Sequence, residues 1–130
     1  MSNHKAIGDL IKSISGQNNT LVIPRLYLKL FDWDMNTAIL LSQIVYWSDK
    51  SKREDGWFYK SYDDWKEEIG LSSYQVRRST KILSDMGIIE TKLKRANGTP
   101  TLHYILYMEV LENSIIKFLD YRETSQSDYF

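Results

Sequence analysis

Cysteine is absent from this 130-residue chain, which excludes disulfides and thiolate metal ligands and suits a reducing, cytoplasmic setting. No stretch approaches the ~20 consecutive apolar residues that cross a bilayer. Met1 to Gly16 carries His4, Lys5, Asp9 and Lys12 among its apolar positions, so neither a membrane span nor a secretory signal is expected. Net charge is lacking too, because 17 Lys and Arg balance 17 Asp and Glu. A uniformly basic protein is thereby excluded, and a surface for an acidic partner has to come from segregated charge. Histidine occurs only as His4 and His103, and there is no glycine-rich phosphate loop. With no zinc-like or nucleophile–base arrangement either, no enzymatic activity, metal or cofactor is expected.

What is present is enough for one ordered core. Hydrophobic residues make up 42% of the chain and aromatic ones 13%, spread throughout a length typical of a single domain, and no internal repeat divides it. We expect an N-terminal arm over 1–20, one domain over 21–119 and a polar tail over 120–130. Ile7, Leu10, Ile11 and Ile14 in the arm fall at helical spacing, but Gly8 and Gly16 weaken that helix. Leu21-Val22-Ile23 reads as a short extended piece stopped by Pro24. A short helix from Arg25 to Phe31 follows, and Asp32-Trp33-Asp34 supplies turn and capping chemistry.

From Met35 to Ser48, Ala38, Leu41 and Val45 repeat at helical spacing, and Leu40, Ile44 and Trp47 broaden the stripe, which predicts a largely buried helix. A polar loop over Asp49 to Gly56 precedes an aromatic strand, Trp57-Phe58-Tyr59. Ser61 with Asp64 matches a capping box, and Gly70 closes the helix so begun. Ser72 caps the next helix at Gln75, Leu71 and Val76 form a hydrophobic staple, and Val76, Thr80 and Leu83 mark its inner face as far as Gly87. Only Gly70-Leu71-Ser72 separates the two helices, the short turn of a helix-turn-helix. Ile88 to Lys94 then alternates, Asn97-Gly98 is a strong hairpin signal, and Thr101 to Tyr107 is again β-rich. A last helix is predicted from Met108 to Leu119.

The fold class expected is mainly α with a small β-sheet: a winged helix-turn-helix whose wing is the antiparallel hairpin. From Ser72 to Gly98, Arg77, Arg78, Lys81, Lys92, Lys94 and Arg95 face only Asp85 and Glu90, whereas Asp32 to Leu71 is net acidic. The positive segment therefore coincides with the helix and wing that such folds present to DNA, duplex or single-stranded. With Val76, Thr80 and Leu83 inward, Ser73, Tyr74, Arg77, Arg78 and Lys81 lie outward. Arginine suits bidentate contact with guanine, and Ser73 with the free amides of the helix N-terminus suits a phosphate. Lys81, Lys92, Lys94 and Arg95 suit the phosphate backbone, and Asn97 a minor-groove edge. Tyr74 is open to packing on the wing or to stacking on a base, and Asn97-Gly98 also serves simply as a turn. The aromatic group Trp47, Trp57, Phe58, Tyr59 and Trp65 reads as core packing, and the pairs Asp32/Asp34 and Asp63/Asp64 as helix caps in place of a metal site.

Val22-Ile23-Pro24-Arg25, Leu40 to Trp47, Asp55 to Lys60, Gly70 to Arg78, Gly87 to Thr91 and Asn97-Gly98 together carry a family resemblance. The chain from about Leu21 to Tyr107 resembles the winged-helix domain of phage and mobile-element replication proteins, the replisome organisers with DnaD-like N-terminal domains. The resemblance implies an origin-binding, often self-associating domain that helps to recruit replication proteins. Longer members add a C-terminal helicase-recruiting domain that these residues do not supply, so loader activity is not carried over. Two alternatives remain open. One is an adaptor or inhibitor, an interaction module that forms a homodimer or hetero-complex through Ile7, Leu10, Ile11 and Ile14 or through Ile115, Ile116 and Leu119. The other is a transcriptional repressor.

Overall fold

The computed structural model describes residues 2–16, 20–51 and 53–127, the last four by their backbone alone. In chain order the elements are α1 (Asn3–Ser15), α2 (Arg25–Leu30), α3 (Met35–Lys50), β1 (Phe58–Tyr59), α4 (Tyr62–Ile69), α5 (Ser73–Asp85), β2 (Ile89–Ala96), β3 (Thr99–Leu106) and α6 (Met108–Ser127). The protein is thus mainly helical with one small antiparallel sheet, in the order β1-β3-β2. Among the described residues no helix is long and apolar enough to cross a membrane.

Local chemistry explains the boundaries. Asp34 caps α3 by accepting from the Thr37 amide at 3.3 Å. Ser61 and Asp64 form a reciprocal capping box at α4, and Ser72 and Gln75 do the same at α5. Gly70 ends α4 at φ 72°, a left-handed conformation that costs a residue with a Cβ but not glycine. The chain from there to the start of α5 is only Leu71 and Ser72, and Leu71 and Val76 are both buried, as the staple requires.

α3 lies at the centre, with Ala38, Leu40, Leu41 and Ile44 all buried. Against it sit Trp65 of α4, Val76 and Leu83 of α5, and the inner sheet face with Phe58, Ile89 and Tyr104. Trp65 meets Tyr104 edge-on, and its Nε1 donates to the Tyr104 hydroxyl at 3.1 Å, so the largest buried polar aromatics satisfy one another. A second clasp joins α3, α4 and the end of β1: Trp47 Nε1 donates to Glu68 at 3.0 Å, while the Lys60 ammonium pairs with Glu68 and lies 3.5 Å from the centre of the Trp47 ring.

Four expectations change. The arm is a formed helix, α1, capped by Ser2, although none of its side chains is buried. Helical structure continues beyond Leu119 to Ser127, because the apolar period that ends there reports packing, and no glycine or proline interrupts the backbone; residues 128–130 of the expected tail lie outside the described residues. Strand pairing runs right up to Asn97-Gly98, with φ of 54° and 81°, the two positive values of a tight two-residue hairpin turn. Pro100 is tolerated inside β3 because it falls where β1 does not reach. Finally, Tyr59 is not core: it stands on the outer sheet face, 44% exposed, with its ring 5.3 Å from that of His103.

Candidate nucleic-acid interface

α5 is held against α3 by the apolar packing of Val76 and Leu83 and by one buried polar contact. Ser79, on its inner face, shares a 3.0 Å hydrogen bond with the Thr37 hydroxyl, which also donates to Asp34 at 2.8 Å. Val76, Ser79, Thr80 and Leu83 are buried. The opposite face therefore carries Ser73, Tyr74, Arg77, Arg78 and Lys81, all exposed. The Ser72–Gln75 box occupies two donors at the helix start, and the first-turn amides of Ser73 and Tyr74 have no intrahelical acceptor, so an anion can take them. Tyr74 is 68% exposed, so its ring is not packed against the hairpin.

The cations on this face differ in what they touch. Arg78 donates to Asp34 at 2.9 Å, bringing a residue of the acidic segment onto the basic one. Burial raises the Asp34 carboxyl, but the bonds from Arg78 and Thr37 outweigh it and hold the group below its ordinary range. The same bond to Asp34 raises the Arg78 guanidinium. Lys81 pairs with Asp85 one turn away at 2.9 Å, both side chains being mostly exposed. The Arg77 guanidinium lies 5.9 Å from the centre of the Tyr62 ring, and among the described residues no carboxylate pairs with it.

On the hairpin, the register splits the basic residues between two faces. Lys92 and Lys94 stand opposite His103 and Thr101 on the outer face, while Arg95 stands opposite Pro100 on the same face as Leu93 and Leu102. The six cations therefore do not form one continuous stripe. Lys92 rests 3.9 Å from the centre of the Trp57 ring, and desolvation, followed by the neighbouring Lys94, lowers its pKa. Two adjacent ammonium groups that disfavour one another's charge gain from a shared anion. Lys94 and Arg95 form no ion pair among the described residues. Asn97 is exposed at the hairpin tip, where its positive φ serves the turn itself.

Sequence reasoning missed a groove. The face of β2 that begins with buried Ile89 runs on to Leu93, which is 66% exposed, and to Arg95 beyond it. Between it and the start of α4 lies an open groove of about 520 Å3, walled by Tyr62 and Asp63 on one side and by Leu93, Pro100 and Leu102 on the other. The only hint in the sequence is that an inward-facing leucine lies so close to the hairpin tip, further along β2 than the core covers. No group of three or more potential metal ligands occurs among the described residues. No protein-family model and no curated protein matches the chain at a significant level.

Proposed function

We propose that this is a winged-helix DNA-binding protein of the cytoplasm, acting in the initiation of phage or mobile-element replication by binding and not by catalysis. One observation carries the reading. In a chain with no net charge, the outer face of α5 and the β2–β3 hairpin hold six basic side chains, of which Arg77, Lys94 and Arg95 have no carboxylate partner among the described residues. Lys81 and Asp85 form an exposed surface pair, which contributes little, whereas Arg78 is tied to the largely buried Asp34 and has to share its guanidinium between that carboxylate and a ligand. In this reading Arg77 and Arg78 face the groove of the duplex, and Lys81, Lys92, Lys94 and Arg95 hold its backbone. The Ser73 and Tyr74 amides take a phosphate at the helix start. The assignment to replication rests on the resemblance of Leu21 to Tyr107 to replisome organisers; a repressor would dock in the same way on promoter DNA.

The test is DNA binding by the triple variant Arg77→Ala/Lys94→Ala/Arg95→Ala, with the element's own origin and promoter fragments as ligands. All three side chains are exposed, so the fold is expected to persist. At ~50 mM salt the variant should lose more than about tenfold in affinity, while Lys66→Ala/Lys117→Ala stays within about twofold. Equal behaviour of the two variants would overturn the assignment. A second reading, an interaction module, is favoured by α1, whose Ile7, Leu10, Ile11 and Ile14 are all exposed on one helix. Through it the protein would form a homodimer or engage other replication proteins.

A further inference from the structure

We infer that the groove between the start of α4 and the hairpin receives an unstacked nucleobase, so that the protein grips single-stranded or melted DNA in addition to the duplex backbone. The inference rests on the DNA-binding reading and adds a ligand that this reading does not require. Leu93, Pro100 and Leu102 form an apolar wall, and Tyr62 and Asp63 also line the groove. Leu93 is 66% exposed and lies with Pro100 and Leu102 on one groove wall, so the apolar surface there is contiguous and not one stray side chain. Arg77 stands beside Tyr62 at 5.9 Å, and Arg95, on the same strand face as Leu93 and opposite Pro100, stands at the hairpin end.

Arg77 and Arg95 do not line the groove, but each neighbours a residue that does, and neither has a carboxylate partner among the described residues, which suits a ligand that is apolar in the groove and anionic beyond it. A nucleotide within a strand has that form: the base lies between Tyr62 and Leu93, and its flanking phosphates reach Arg77 and Arg95. About 520 Å3 holds one nucleotide comfortably. Asp63, also on the groove wall, repels phosphate but accepts a hydrogen bond from an exocyclic amino group, as carboxylates do from cytosine. A base that is paired and stacked in a duplex does not enter; it has to leave the stack first.

The experiment compares three probes of equal length: a mixed-sequence single strand, the same strand with abasic sites throughout its centre, and the corresponding duplex. Binding is measured by fluorescence anisotropy for the full chain and for Leu93→Ser, a substitution at an exposed position. The wild type should bind the intact strand about tenfold or more tighter than the abasic one, the scale of one base stacked on an aromatic ring. Leu93→Ser should erase that difference and leave duplex binding within about twofold. If the wild type binds duplex but does not distinguish intact from abasic strands, this inference fails and the DNA-binding reading stands. If Leu93→Ser weakens duplex and single strand alike, the groove is not selective for a base and the inference again fails. If no probe binds, both readings fall.

Discussion

At Tyr104, burial pushes the phenol up to about 12, and the hydrogen bond from Trp65 only partly opposes the shift. In the unfolded chain the same group titrates near 10. Its contribution is therefore complete below about pH 10 and is lost as pH rises towards the folded value, a change of order 2 kcal/mol. Tyr104→Phe leaves the Trp65 N–H buried without its acceptor and should cost about 1–3 kcal/mol at pH 8. In urea titrations the gap between wild type and variant should then narrow between pH 8 and pH 11.5; a constant gap would mean that the phenol is not shielded. Not every residue was equally legible in the sequence. The caps Asp34, Ser61 and Ser72 act over three positions, so the sequence alone placed them. The partner of Arg78 lies 44 positions away in Asp34, and the exposure of Leu93 depends on how far the core reaches along β2; neither is a local property.

Elements were legible where a hydrophobic period and a cap agreed, as in α3, α4 and α5, and were misjudged where one of the two was missing. α1 has an apolar period but covers nothing, and the last turns of α6 have neither period nor breaker, so both were read as looser than they are. The consequence for α1 is specific. With no side chain buried, deleting residues 1–16 should change the unfolding free energy of the rest by less than about 1 kcal/mol, since its apolar surface stays in water. If the interaction reading holds, sedimentation velocity should show Ile11→Asp/Ile14→Asp as a monomer under conditions in which the full chain self-associates. A full chain that stays monomeric at ~100 μM would remove α1 as a homodimer interface; at that concentration even a micromolar self-association would be populated. A large loss of stability on deletion would show that α1 packs on the body after all.

For the whole molecule, the mainly helical make-up with one small antiparallel sheet followed from element order, whereas charge separation along the sequence gave only part of the electrostatic picture. The basic segment after Leu71 and the acidic segment before it meet in space at Asp34 and Arg78, and the hairpin divides its cations between two faces. The surface is thus a set of separate contact points and not a single positive stripe. Such a surface neutralises a few phosphates. The most direct test is the slope of log affinity against log salt for duplex DNA. Three to six neutralised phosphates predict a slope of about −3 to −5. A slope near zero, or no binding at ~50 mM salt, would contradict the account, because charged side chains that displace no counterions are not in contact with the DNA backbone.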